Sequence, residues 1–338
     1  MPRFLIVAPN WVGDTLLAQP LMARLQQRLP GITIDALAPA WTAPLLARMP
    51  EISEVIETPF IHGPLQLRER WRLGVSLRQR RYDTAIVLPN TFKSALPPFF
   101  GEIRFRVGFV GESRYGLLNI LHKLDPKKNL LMAERYAQLA EKPGAGPVLP
   151  LLRSGLKVDL ANLVINVGRL GLDRSRRIAV FCPGAEYGPA KRWPARHFAT
   201  LAGRLHDLGL HVWLLGSARE RELGEDIARL SDGRAINLCG RTDLATAVDL
   251  MSAADIVVSN DSGLMHVAAA LDKPLVALYG SSSPLHTPPM SQRARIAQLE
   301  GLSCSPCYQR TCPLGHFRCL NELSPEQVLR EIESLQAA

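Results

Sequence analysis

The chain has 338 residues, 47% of them hydrophobic and 21% charged, with a formal net charge of +9; that is enough apolar material for two domains with separate cores, and it excludes a disordered chain. No apolar run reaches the length of a membrane span, and the opening Met1-Pro-Arg-Phe-Leu-Ile-Val-Ala8 is too short for a signal-peptide core, so a cytoplasmic protein is expected. The charge is uneven: residues 1–150 hold 19 Lys+Arg against 12 Asp+Glu, whereas residues 151–338 hold 21 against 19. The basic half suits an anionic partner, such as a nucleic acid, a phosphorylated substrate or an acidic membrane surface, or else it is a solvated basic face.

Phe4 to Ala8 reads as a strand, and after Pro9-Asn10-Trp-Val-Gly-Asp14 the pattern turns helical from about Thr15 to Leu29. Asp14, at the tip of that strand, is either a helix cap or a general base that activates a hydroxyl. The G-x-G-x-x-G run of a dinucleotide site is absent. Ile32 to Leu37 is a second strand, Pro39 to Pro50 a short helix bracketed by prolines, and Glu54 to Glu57 a third strand. Arg68 to Arg81 carries six arginines and reads as a basic surface helix, either simply solvated or drawn to anionic lipid or substrate.

Asp83 to Leu88 returns to a strand whose end carries Pro89-Asn-Thr-Phe-Lys93-Ser94, polar groups suited to a phosphorylated or sugar-like acceptor. The apolar Ala95 to Gly101 is a loop dipping toward lipid, or core. Arg104 to Phe109 is a further strand, with Arg106 and Arg114 adding to a basic lining, and Leu130 to Glu141 is a helix. Pro143 to Pro150 is the best linker in the chain, which sets domains at 1–150 and 151–338.

Beyond it the strand and helix alternation restarts: Asp159 to Val167 helical, Arg177 to Phe181 a strand, then a Gly/Pro loop to Pro194 with Lys191 and Arg192. Those cations are placed either to neutralise a diphosphate leaving group or merely in solvent. Further strands at His211 to Leu215 and Ala235 to Leu238 put Glu220 and Thr242 at strand ends, to hold a nucleoside or to cap helices. The densest signal is Asp255 to Pro284: a strand, the turn Asn260-Asp261-Ser262-Gly263, a helix from Leu264 to Leu271 that carries His266, and a strand ending in Gly280-Ser-Ser-Ser283. A helix start at a strand's carboxyl end is a natural anion site, although Asp-Ser-Gly is also ordinary capping chemistry and a lone histidine is often structural. Cys304, Cys307, Cys312 and Cys319 form a cluster that reads as a structural zinc knuckle, as free or redox thiols, or as disulfides. No D-x-D aspartate pair is present to hold a divalent ion under a diphosphate. Ser324-Pro-Glu-Gln-Val opens a terminal helix.

Asn10-Trp-Val-Gly-Asp14, Pro89 to Ala95, Pro183 to Pro194 and Asn260 to His266, in that order, resemble the bacterial ADP-heptose:lipopolysaccharide heptosyltransferases of glycosyltransferase family 9. The wording is nearest to those that add the second inner-core heptose. The resemblance implies an α/β, GT-B architecture: two Rossmann-like domains, the acceptor on the first, ADP-heptose on the second, catalysis in the cleft, and a terminal helix crossing back. It implies inverting, metal-independent transfer of L-glycero-D-manno-heptose, with Asp14 as base and Lys191 steadying the departing ADP. Donor-binding residues would be Lys191, Glu220, Thr242, Asp261, Ser262, Gly263, Leu264 and His266; acceptor-binding residues would be Asn10, Lys93, Ser94, Arg106 and Arg114. The acceptor would be a phosphorylated Kdo-lipid A core bearing one heptose, met by a peripheral protein at the inner face of the inner membrane; no nucleic acid is implied. The competing readings are a heptosyltransferase I, a transferase or epimerase using another nucleotide sugar, and a non-catalytic binder of nucleotide or lipopolysaccharide fragments.

Overall fold

The computed structural model describes residues 1–61, 63–125 and 131–337. The chain divides into two compact units, Met1–Lys157 and Val158–Ala338.

In the first unit six parallel strands, β1 (Arg3–Val7), β2 (Thr33–Pro39), β3 (Glu54–Thr58), β4 (Thr84–Val87), β5 (Phe105–Phe109) and β6 (Ile120–His122), lie in the order β3-β2-β1-β4-β5-β6. β1 is flanked by β2 and β4, with Val7 opposite both Leu37 and Val87. That order reverses direction between β1 and β4, so the loops after these two strands open side by side at the sheet's carboxyl edge. β1, β2 and β4 are buried on both faces and read as continuous apolar runs for that reason. The helical stretch after β1 is two helices, Val12–Leu17 and Gln19–Arg28, with the junction at Ala18 and Pro20 in the first turn of the second. A proline has no N–H to continue the first helix, so it starts a new one. Leu130, with which the next helix was expected to open, lies outside the described residues; the helix itself spans Met132–Ala137.

Residues 151–157 belong to the first unit, not to the second as the proline-rich stretch before them suggests. Gln19 clamps Gly155 through both ends of its amide, Nε2 to Gly155 O at 2.7 Å and Gly155 N to Oε1 at 3.1 Å, and Lys157 N donates to Arg48 O at 2.8 Å.

The second unit repeats the plan. β7 (Arg177–Cys182), β8 (Leu210–Leu214), β9 (Ala235–Asn237), β10 (Ile256–Asn260), β11 (Leu275–Tyr279) and β12 (Ala294–Gln298) are parallel in the order β12-β11-β10-β7-β8-β9. The reversal falls between β7 and β10, where Cys182 lies opposite Ser259. One face of this sheet packs Phe181, Leu214 and Val258 against Trp193, Phe198 and the terminal helix Pro325–Ala337, through Val328 and Ile332. The terminal helix is thus part of this unit's own core. Trp193 is fully buried, its ring 4.9 Å from that of Phe198 and its Nε1 donating to Leu323 O at 2.8 Å; burying a side chain of this size with its one donor satisfied contributes about 2–3 kcal/mol.

Candidate active site

Within the second unit, the loops after β7 and β10 meet at the switch point and bring Lys191 and Asp261 together. Lys191 closes the single turn Pro189–Lys191, and its Nζ sits 2.5 Å from Asp261 Oδ2. Ser282, from the loop after β11, donates its hydroxyl to the same oxygen at 2.6 Å. The Asp261 side chain is 5% exposed and that of Lys191 19%; a carboxylate so withdrawn from water requires a paired cation and a hydrogen bond, and both are present. Asn260 locks the two loops: its Oδ1 accepts from Trp193 N at 3.1 Å and its Nδ2 donates to Pro183 O at 2.7 Å.

The helix Gly263–Ala270 begins immediately beyond Asp261. Ser262 stands at its N-cap, yet the hydroxyl makes no capping bond and lies 3.3 Å from Ser259 Oγ. The first-turn N–H groups are therefore not capped by that side chain, which suits an anionic ligand. Gly263 and Leu264 supply the first two of them. His266 is buried in the next turn, and burial pushes its imidazole down to about 4, with Lys191 pressing the same way against the opposing pull of Asp261. It is a neutral ring at physiological pH. The helix and its cap thus place Lys191, Asp261, Ser262, Gly263, Leu264 and His266 in one neighbourhood.

Glu220 and Thr242 stand at the ends of the next two strands. Glu220 Oε2 accepts from Ser217 N at 2.8 Å and from Ser217 Oγ at 2.5 Å, so it caps its own helix. It also lies against the loop after β7, because a Cβ on Gly184 would meet Glu220 Cγ at 2.7 Å. Thr242 is half-buried beside Asp243, which caps the helix Leu244–Ser252 by accepting from Thr246 N at 2.7 Å.

Within the first unit, Asp14 lies in the first turn of the helix Val12–Leu17, half-buried, at the carboxyl end of β1; Trp11, not Asp14, is the cap residue. The carboxylate lies near the buried Tyr136 of the helix Met132–Ala137, whose phenol is raised by burial first and by Asp14 second. The strand ends of this unit surround a cavity of about 70 Å³ lined by Asn10, Trp41, Phe60, Arg70, Lys93 and Ser94 among others, and Asp14 is not in its wall. Trp41 Nε1 donates to Asn10 O at 2.8 Å, the Arg70 guanidinium lies 4.0 Å from the Phe60 ring centre, and Lys93 Nζ donates to Gly63 O at 2.7 Å. Trp41, Phe60 and Arg70 carry no signal in the linear sequence; Trp41 follows β2, Phe60 and Arg70 follow β3, Arg70 from the helix Leu67–Leu77, and the fold brings them together with Asn10 and Lys93.

Two arginines expected to line this site have other work. Arg114 is 1% exposed and donates to the carbonyls of Pro89 at 2.8 Å and Phe109 at 2.6 Å and to Asn90 Oδ1 at 2.5 Å. Arg106 donates to Leu117 O and Ile103 O, each at 2.6 Å. Both satisfy buried carbonyls around β4 and β5 and do not line the cavity. Ser94 likewise turns its hydroxyl to Pro89 O at 2.9 Å and Thr91 O at 2.6 Å, although it remains in the wall.

The four clustered cysteines are free thiols around an apolar cavity of about 20 Å³ whose wall includes Ala190 and Ser281. Among the described residues no three or more His, Cys, Asp or Glu side chains are grouped to hold a metal ion, so of the three readings of Cys304, Cys307, Cys312 and Cys319 the zinc knuckle gains no support. The segment instead braces the site loops. Ser305 Oγ donates to Gly280 O at 2.6 Å, Tyr308 N to Ser281 O at 2.7 Å, Ala190 N to Arg310 O at 3.1 Å, and Arg310 Nε to Tyr187 O at 2.7 Å.

Comparison with known proteins agrees with this geometry. Residues 70–318 match the model of glycosyltransferase family 9 (heptosyltransferase). The chain is 47% identical to lipopolysaccharide heptosyltransferase 2 of Salmonella typhimurium, over 98% of both chains, and 43% identical to lipooligosaccharide heptosyltransferase 2 of Haemophilus influenzae, over 99% of both. The solved structure of E. coli ADP-heptose LPS heptosyltransferase II matches with a TM-score of 0.89 at 44% identity, covering 100% of this chain and 99% of that one. Two parallel, doubly wound sheets with these motifs at their switch points are the GT-B fold of that group, and the chain belongs to glycosyltransferase family 9, the heptosyltransferases.

Proposed function

We propose that this protein transfers L-glycero-D-manno-heptose from ADP-heptose to the first heptose of the lipopolysaccharide inner core, with inversion and without a divalent ion. The observation that carries the reading is the constellation of Lys191, Ser282 and an uncapped helix start at the second unit's switch point, in a chain 47% identical along 98% of its length to a heptosyltransferase 2. Lys191 meets the diphosphate of the donor while Asp261 and Ser282 hold the ammonium in place. The helix start at Ser262, Gly263 and Leu264 takes a phosphate oxygen, neutral His266 adds a hydrogen-bonding group, and Glu220 and Thr242 lie where a nucleoside would extend.

The acceptor heptose occupies the cavity beside Asn10, Lys93 and Ser94, with the indole of Trp41 offering a flat face to a sugar ring. Asp14 takes the proton from the attacking hydroxyl; that oxygen bonds to the anomeric carbon from the face opposite the diphosphate, the bond to the diphosphate oxygen breaks, and ADP leaves. Charge gathers on the leaving oxygens, where a preorganised cation and N–H groups have their largest effect. A membrane-anchored acceptor makes the protein peripheral to a membrane surface; among the described residues no helix is long and apolar enough to cross one.

Asp14→Asn tests the base. Turnover should vanish while ADP affinity, measured by titration calorimetry, stays within a few-fold; retained turnover overturns the assignment. EDTA should leave the rate of the purified protein unchanged, and loss of activity restored by magnesium would refute transfer without a divalent ion.

A further inference from the structure

The helix Leu67–Leu77 and the short helix Leu96–Phe100 form a single surface. They meet at Gly74, where a Cβ would lie 2.5 Å from Phe100 Cβ and 2.8 Å from Pro97 O, and Arg78 Nε ties them by donating to Phe100 O at 3.0 Å. Arg70 and Gly74 turn inward, so the opposite face of the longer helix is left to solvent. That solvent face carries the exposed Arg68 and Arg72, and Leu67 and Trp71, each 51% exposed and one turn apart, stand between it and the inward-turned Arg70 and Gly74. On the short helix Phe99 is 40% exposed, and Phe105, 38% exposed, carries the Arg104 guanidinium 4.9 Å from its ring centre.

Large apolar side chains interleaved with arginines are costly in water and match the layered chemistry of a lipid surface, where rings enter the headgroup region and guanidiniums meet phosphates. Glu69 and Glu102 are the acidic residues nearby, and Glu102 is neutralised by Arg78 at 2.8 Å. The same two helices send Arg70 and Pro97 into the wall of the acceptor cavity. The surface therefore adjoins that cavity.

We propose that the joint face of the helices 67–77 and 96–100 docks on an anionic lipid bilayer, with Leu67, Trp71 and Phe99 entering the headgroup layer and Arg68, Arg72 and Arg104 binding lipid phosphates. The proposal rests on the reading that the acceptor is membrane-anchored, and it names the surface that presents the cavity to it. Nucleic acid or a partner protein on this face is an outcome the test excludes or reveals.

Sedimentation with vesicles of phosphatidylethanolamine and phosphatidylglycerol, or of phosphatidylcholine alone, tests it. The full-length protein should bind the anionic vesicles, be released by salt and ignore phosphatidylcholine. Arg68→Glu with Arg72→Glu should weaken binding by about ten-fold or more, the scale set by lost phosphate contacts of about 1 kcal/mol per cation, and Trp71→Ala should weaken it several-fold. Turnover of a deacylated, water-soluble acceptor should be unchanged in both variants, because none of these side chains lines the cavity; an unchanged melting temperature confirms folding. Wild-type protein that leaves anionic vesicles unbound, or a double variant that binds them as well as wild type, overturns the docking face. Failure of wild-type protein to turn over the soluble acceptor refutes the transferase reading instead, whatever the vesicles show.

Discussion

Lys191 and Asp261 form the pair on which the proposed donor site turns. A carboxylate next to a diphosphate would repel it, but bonded to an ammonium at 2.5 Å and a serine hydroxyl at 2.6 Å it acts as an anchor that leaves the remaining ammonium hydrogens to a ligand. Lys191→Ala should lower kcat about 10²-fold or more, the usual effect of deleting one electrostatic stabiliser. Asp261→Asn should keep a hydrogen bond to Lys191 while releasing it from its position, so kcat falls and Lys191→Ala in that background costs little more. Additive losses in the double variant would mean the two residues act separately.

His266 gives a pH signature. Its imidazole is held at about 4 in the fold, against 6.5 for an unperturbed histidine. The unfolded chain therefore binds the extra proton first. The stability tied to the neutral ring is complete above pH 6.5, declines as the pH falls below that value, and is lost once the pH passes below about 4, an effect of up to about 3 kcal/mol. Urea denaturation between pH 7 and 4.5 should show a slope that is shallower in His266→Gln, the remainder coming from His122 and His197, which burial also lowers; equal slopes would mean the His266 ring protonates freely in the fold.

The cysteine segment matters as an element, through its backbone. Gly188 shows why: a Cβ there would lie 2.3 Å from Arg310 O, so the loop carrying Lys191 and the segment 304–319 fit only with no side chain between them. Gly188→Ala should displace Lys191 and reduce turnover with little change in acceptor KM. Within the segment, Cys312 is drawn below the usual thiol range by N–H groups from Phe317, Leu314, His316 and Gly315, whereas burial raises Cys182 and pushes Cys239 up to about 12. Iodoacetamide at neutral pH should label Cys312 first and spare Cys182 and Cys239, as peptide mapping would show. The same elements show what the sequence could reveal. β1, β4, β7 and β10 were legible because strands buried on both faces are continuous apolar runs bounded by turn residues. β6 and β12 were missed: they are edge strands, the first only three residues long and the second interrupted by Arg295. The turn at 260–263 is legible because its residues are contiguous, whereas nothing in a linear sequence shows that the guanidiniums of Arg106 and Arg114 are spent on backbone carbonyls.

The whole chain is the same strand order built twice, and the residues to which the proposed function assigns the chemistry stand near the reversal point of each copy: Asn10, Asp14 and Lys93 in the first, Lys191 and Asp261 in the second. On the proposed function, the repeated scaffold with different loops separates the two substrates' demands, a polar and aromatic cavity suited to a sugar acceptor and a cation with a helix start suited to a diphosphate. The basic surplus falls in residues 1–150, which fits a unit that meets a phosphorylated acceptor at a membrane surface. Incubating the purified protein with ADP-heptose and a core acceptor that ends in a single heptose, followed by mass spectrometry, tests this most directly. The acceptor should gain one heptosyl residue for each ADP released; an acceptor left unchanged beside intact ADP-heptose, or one extended only from a uridine-linked sugar, would contradict it.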